Sequence, residues 1–268
     1  SYPGSNFFVV DISNPSAPRR VSTTTIGSVG VDDVYVSGRY AYVTNFSSAN
    51  MAVIDISNPL VPFEVATAAA GTYPRSIFVS GRYAYVVNQG SDNMSVIDIS
   101  NPLAPVNVGT VTVGLVPVSI YVSGRYAYTA NLSSNTISVV DISSSTAPVR
   151  VGYTSVGTDP TGIYVSGRYA YVTNEGPDTI SVVDISSSTN PFQISTTSVG
   201  ASPRQIFVSG RYAYVTNNTD NNIGIVDISG TEVSSLIAHS AEVGNIQSRN
   251  DIFAQGNIMA GTGLMVGA

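Results

Sequence analysis

Apolar and polar residues alternate along this chain in short runs of four to seven, set between clusters of Gly, Pro, Asn and Ser. A period of two places successive side chains on opposite faces of a strand, so each run predicts a β-strand and each cluster a turn. No window carries a sustained 3.6-residue apolar period, and helices should be few. The runs recur in a fixed order. Val-Ser-Gly-Arg-Tyr-Ala-Tyr stands at Val36 to Tyr42 and again from Val79, Val122, Val165 and Val208, its glycines Gly38, Gly81, Gly124, Gly167 and Gly210 spaced by 43 residues. A second run, [VI]-[VI]-Asp-Ile-Ser, places aspartates at Asp11, Asp55, Asp98, Asp141, Asp184 and Asp227.

Each period reads as four strands. The first is β-branched, aromatic, β-branched (Ile77-Phe78-Val79), and Ser-Gly-Arg turns it into a second, Tyr-Ala-Tyr-Val. In that second strand Tyr40 and Tyr42 share one face and Ala41 and Val43 the other, which suits sheets stacked with tyrosines against a neighbour's small face. The third strand, Val-Ile-Asp-Ile, is apolar enough to be covered on both sides, and the fourth follows a proline, as in Pro105 to Val111. Four strands per period of about 40 residues predicts an all-β fold, a β-propeller with a 43-residue repeat.

Counting ten residues back from each repeated aspartate gives Asn45, Asn88, Asn131, Asn174 and Asn217, but Ser1 from Asp11. The sequence thus opens on the third and fourth strands of a blade. We expect six blades of four antiparallel strands, with residues 1–243 as the repeats. Residues 244–268 are then a degenerate hairpin that closes the last blade, since Asp251 to Asn257 overlays Gln205 to Arg211. The alternative is seven blades, with 244–268 beginning a fibre-like stalk.

The Tyr-Val-Thr-Asn runs at Tyr42, Tyr171 and Tyr214 resemble the YVTN-type propeller repeat of archaeal and bacterial surface-layer proteins. The Val-Val-Asp-Ile-Ser runs resemble the related LVIVD repeat of extracellular proteins. The resemblance spans about residues 6–243 and implies the fold and an extracellular or cell-surface setting, not an activity.

Composition narrows the chemistry. Eleven basic residues, all arginine, face seventeen acidic ones, a formal charge of −6. With no lysine and no cysteine, Schiff-base, P-loop, thiolate and Cys-zinc chemistries are excluded. Without a basic cluster no nucleic-acid partner is expected, and no apolar run is long enough for membrane insertion. His239 is the single histidine and stands in the degenerate final repeat, so no triad or His-metal cluster can form near the axis. These absences lead us to expect no catalytic residue, no metal and no cofactor.

What every blade repeats is most simply structural. Arg39, Arg82, Arg125, Arg168 and Arg211, with Asp55, Asp98, Asp141, Asp184 and Asp227, are read as a structural ladder or as turn-capping carboxylates. The repeated asparagines are expected in Asx turns with positive φ. Four of the turns carry glycosylation triplets, at Asn45, Asn93, Asn131 and Asn217. Departures from the repeat fall in the loops before the first strand and between the second and third, all at one end of the blades. There Asp32, Asp33, Arg75, Arg204 and Gln205 should approach the axis and are the candidate ligand-binding residues. Calcium is conceivable at Asp92, Asp178 or Asp220, although none has a full set of oxygen ligands. The leading expectation is therefore a non-enzymatic structural or adhesive module of a cell-surface layer, fibre or appendage, whose partner is a protein or carbohydrate. Two alternatives are a lactonase-like hydrolase or lyase at the central channel and a self-assembling, strand-exchanging filament subunit.

Overall fold

The computed structural model describes residues 6–26 and 30–228. They contain strands and turns and no helix. β1 (Asn6–Asp11) and β2 (Arg19–Thr25) form a two-stranded sheet. Short turns and a longer loop then connect β3 (Val31–Ser37), β4 (Tyr40–Asn45), β5 (Asn50–Asp55) and β6 (Phe63–Ala69) into a four-stranded antiparallel sheet, in chain order. The unit repeats as β7 (Pro74–Ser80), β8 (Tyr83–Asn88), β9 (Asn93–Asp98), β10 (Val106–Thr112), and as β11 (Pro117–Ser123), β12 (Tyr126–Asn131), β13 (Thr136–Asp141), β14 (Val149–Ser155). It repeats again as β15 (Pro160–Ser166), β16 (Tyr169–Asn174), β17 (Thr179–Asp184), β18 (Phe192–Ser198). A three-stranded sheet of β19 (Pro203–Ser209), β20 (Tyr212–Asn217) and β21 (Asn222–Asp227) follows. Residues 244–268, read from sequence as a hairpin or stalk, lie outside the described residues.

The sheets stack as the alternation of large and small side chains requires. Tyr42, Met51 and Val53 of one sheet pack on Ile77, Val79, Ala84 and Val86 of the next, and Tyr85 meets Ala127 one step further round. The first strands are the inner ones. Tyr35, Phe78, Tyr121, Tyr164 and Phe207 form a continuous row, with ring centroids 5.0, 5.0, 4.7 and 5.3 Å apart. Face-to-face sheets lie about 10 Å apart, so rings at half that spacing mean that the sheets converge on this row and splay outward from it. Each Ser-Gly-Arg turn needs its glycine: Gly38, Gly81, Gly124, Gly167 and Gly210 all sit at φ near +60° with nothing beside them, a conformation that costs other residues about 1–2 kcal/mol.

The repeated asparagines correct the sequence reading. They are not the positive-φ residues of their turns, which are Ala49, Asp92, Asn135, Asp178 and Asn221. Instead they end the second strands as buried amides. Asn88, for example, donates to Asn93 Oδ1 at 2.7 Å and to Ser95 Oγ at 3.0 Å. Burial also removes Asn45, Asn131 and Asn217 from reach as glycan acceptors.

Candidate active site

Each inner strand begins with a residue at positive φ followed by an irregularity in its pairing. The positive-φ residues are Gly30, Tyr73, Val116, Asp159 and Ser202. The register then shifts between Val31 and Val34, Pro74 and Ser76, Pro117 and Ser119, Pro160 and Gly162, and Pro203 and Ile206. A bulge re-aims the side chains it carries, and left-handed backbone at a Tyr, Val, Asp or Ser persists only where the surroundings hold it. Here the holding groups are visible. Asp92 and Asp178 each accept the backbone N–H of the strained residue in the next sheet, Val116 at 2.7 Å and Ser202 at 2.8 Å. Asp220 accepts from Ala201 N at 2.8 Å. The three aspartates weighed for calcium thus serve as turn acceptors. Among the described residues, no three His, Cys, Asp or Glu side chains converge as metal ligands.

All five residues singled out from the sequence fall on these bulged starts, and the first two sheets bring three of them together. Asp32 Oδ2 pairs with Arg75 Nη1 at 3.0 Å. Asp33 Oδ2 accepts from Ser76 Oγ at 2.8 Å and from Ile77 N at 3.0 Å, and its Oδ1 accepts from Val34 N at 2.8 Å. The Asp33 backbone N–H in turn donates to Thr44 Oγ1. Burial pushes the Asp33 carboxyl above its ordinary pKa; its three hydrogen bonds oppose the shift and the Asp32 charge adds to it. A carboxyl with a raised pKa beside an arginine and a hydroxyl is the kind of group that moves protons at a reacting centre. Arg204 lies elsewhere, its Nη2 on Glu175 Oε1 at 2.6 Å, and Gln205 is tied through its backbone N–H to Thr216 Oγ1.

Sequence reasoning missed Ser76 and Glu175. Ser76 stands one period after Asp33, at a place where the other sheets carry Ser119, Gly162 and Gln205; its interest lies only in its partner. Glu175 opens one of the variable turns and becomes notable because it meets Arg204.

At the other end of the sheets the uniform residues pair with each other. Arg39 Nη2 reaches Asp55 Oδ2 at 2.5 Å, and Arg82–Asp98, Arg125–Asp141, Arg168–Asp184 and Arg211–Asp227 repeat the contact. Each guanidinium lies over the following tyrosine ring, 5.2 Å away at Tyr40. Asp98 and Asp141 are held down to a pKa of about 2 by their arginines and by the Ser100 and Ser143 N–H groups.

Comparison with known proteins supplies what geometry alone does not. The LVIVD repeat model matches residues 4–25, 30–69 and 71–113. LVIVD repeats thus run through the first 113 residues, consistent with a propeller repeat protein of the LVIVD/YVTN type. In the second half of the chain, residues 121–245 match the model of the seven-bladed β-propeller lactonases. Among solved structures, a Lactobacillus plantarum protein is similar with a TM-score of 0.74 and 18% identity, over 88% of this chain and 82% of that one. A periplasmic gluconolactonase of Pseudomonas aeruginosa is similar with a TM-score of 0.72 and 18% identity, over 86% and 75%. A Bacteroides uniformis protein described as a candidate 6-phosphogluconolactonase gives 0.70 and 17%, over 82% and 72%. No curated protein matches the sequence. At these identities the structures speak for the fold. The lactonase model is the finding that overturns the non-enzymatic reading: it matches residues 121–245, nearly half of the chain. The expectations of an adhesive or structural surface module and of no enzyme are corrected accordingly. They failed because the sequence argument sought histidines and complete metal clusters, whereas hydrolysis of an activated cyclic ester asks only for a proton acceptor and an oxyanion partner.

Proposed function

We propose that this protein is a lactone hydrolase whose reaction takes place at the axial end of the first two inner strands. The observation that carries the reading is Asp33, a half-buried carboxyl with a raised pKa, bonded to Ser76 and adjacent to the Asp32–Arg75 pair. Water attacks the lactone carbonyl carbon and passes a proton to Ser76 Oγ, whose own proton moves to Asp33. The carbonyl oxygen becomes an oxyanion, stabilised by the Arg75 guanidinium. Collapse of the tetrahedral species breaks the ring C–O bond, and the proton returns from Asp33 through Ser76 to the leaving alkoxide. The product is an open-chain hydroxy carboxylate. Arg75, already facing a carboxylate of the protein, suits a product that carries one.

Ring opening of glucono-δ-lactone, followed by acid release at constant pH, tests the proposal. Asp33→Asn should lower kcat about a hundredfold, the usual range for one general base, and Arg75→Gln should lower kcat as well by removing the oxyanion partner. A wild-type rate equal to the uncatalysed one across several ring sizes, or an Asp33→Asn enzyme of full activity, refutes it.

We also propose a six-blade ring, in which the sheet of β1 and β2 belongs to the blade that closes the circle. The motive is two bare apolar flanks: Val34 and Val36 on the first four-stranded sheet, and Ile223 and Ile225 on the last, stay exposed while their counterparts Ile77, Val79, Ile137 and Val139 are buried. Small-angle scattering of the full chain should then give the compact profile of a closed disc; an elongated profile would count against closure.

A further inference from the structure

The outermost strands share a backbone irregularity but not their side chains. In β14 the pairing with β13 skips one residue: Gly152 faces Val139, Arg150 faces Val140, and Val151 is extra. Because side chains alternate, this insertion brings Arg150 and Tyr153 onto the same face. The Arg150 guanidinium lies 5.4 Å over the Tyr153 ring, and its Nη1 donates to Val113 O at 3.2 Å. At the two positions the other four-stranded sheets carry Glu64 with Thr67, Asn107 with Thr110 and Gln193 with Thr196. The Arg–Tyr couple thus departs from the repeat in one blade.

Among the described residues, Arg150, like Arg20, lacks the carboxylate partner that the other arginines have. Eight of the arginines among the described residues pair with a carboxylate; for Arg150 the described residues supply a carbonyl and a ring but no carboxylate, in a chain of net charge −6. A cavity of about 680 Å³ runs along β14 from Arg150 to Ser155 and is walled opposite by Thr189, Asn190, Pro191 and Phe192. Gly152 allows that wall to approach, for a Cβ there would stand 2.2 Å from Ser188 O. Tyr153 is 63% and Phe192 50% exposed. β14 ends its sheet, so one row of its N–H and C=O groups has no strand beside it among the described residues.

We propose that this groove binds an extended acidic peptide, added as a strand along the edge of β14 with a carboxylate on Arg150 and an apolar side chain against Tyr153. The length of the lining decides for a peptide over a compact ligand. Six consecutive strand residues span roughly 20 Å, and strand addition draws affinity from that backbone row while flanking side chains select sequence. The site lies on the outer strand, whereas the proposed hydrolytic site lies on the inner ones, and neither depends on the other.

Panning a library of random peptides about ten residues long on the intact protein tests this. Enriched peptides should share an acidic residue next but one to an aromatic or aliphatic residue. Arg150→Gln and Tyr153→Thr, which restore what other blades carry and so preserve the fold, should weaken the best peptide about tenfold each. Hydrogen exchange should slow at β14 amides on binding, with lactone hydrolysis unchanged. No enrichment, enrichment without acidic residues, equal binding to both variants, or unchanged exchange in β14 would each overturn the proposal.

Discussion

Three buried amide oxygens, Asn45 Oδ1, Asn88 Oδ1 and Asn174 Oδ1, have no hydrogen-bond partner. Asn131, at the same place in the intervening sheet, differs: its Oδ1 accepts from Thr129 Oγ1 at 2.9 Å. The corresponding residues elsewhere are Val43, Val86 and Val172, all fully buried. Replacing a buried Val by Thr ordinarily costs about 1–3 kcal/mol, because the hydroxyl loses water and gains nothing. In Val86→Thr the hydroxyl meets a waiting acceptor two residues away, as Thr129 does. The bond returns about 1 kcal/mol and relieves an orphan worth about 1–3 kcal/mol, so the substitution should be neutral or stabilising by up to ~1 kcal/mol. Thr129→Val should do the reverse and cost about 1–3 kcal/mol by orphaning Asn131. In a chain of this size, 1 kcal/mol corresponds to roughly 2–4 °C in Tm. Thermal and urea unfolding of the two variants and of the double substitution would measure the contrast, the double variant showing the sum of the two effects because the sites lie in different sheets. If Val86→Thr destabilises as much as Thr129→Val, the orphan oxygens are satisfied by buried water and the reasoning fails.

Acid should loosen the Arg–Asp ladder. Asp55, Asp98 and Asp141 have pKa values lowered from 3.8 to about 2, so their contribution is complete above about pH 4 and fades between there and pH 2; Asp98→Asn should flatten that part of a circular-dichroism pH titration. Asp33 shifts the other way: a raised pKa disfavours the folded state as pH climbs from 3.8 through the folded value, so Asp33→Asn should remove a fall in stability over that window. The same pKa should appear as the acid limb of the pH–rate profile for kcat/KM. Gly152→Ala drives a Cβ against the Ser188 carbonyl and should cost about 1–3 kcal/mol by overpacking, readable as a lower urea midpoint.

The repeat made most of the fold legible. Period-two runs located the strands, and the Tyr-Ala-Tyr alternation foretold that Tyr42 would press on the small face carrying Ala84. What failed was the role of residues whose meaning depends on another sheet. Asn88 looked like a turn residue because its neighbours are turn-formers, yet the turn is built by the positive φ of Asp92 and the amide turns inward to Asn93 and Ser95. Local sequence reports local conformational preference; it does not report which side of a closely packed layer a polar group will find.

The candidate site follows the same logic, one step further. A repeat forces each blade into the same backbone, so chemistry can enter only where a side chain departs from its counterparts 43 residues away. Comparison across periods singles out Asp32, Asp33, Arg75, Arg204 and Gln205. It did not find Ser76, because serine recurs at Ser119 and so looks unremarkable. Ser119 accepts from Ile163 N of the next inner strand, the role Asp33 holds for Ile77, whereas Ser76 Oγ donates to Asp33. Only the substitution of Asp for Ser one sheet earlier turns an ordinary hydroxyl into one that donates to a half-buried carboxylate with a raised pKa. The function of a residue in this architecture is thus set by its neighbour one period away as much as by its own identity. Asp33→Ser should therefore leave Ile77 N its acceptor and the sheets their packing, while removing the proton acceptor and with it the hydrolysis; if the variant unfolds instead, Asp33 is a structural bridge and the site must be sought elsewhere.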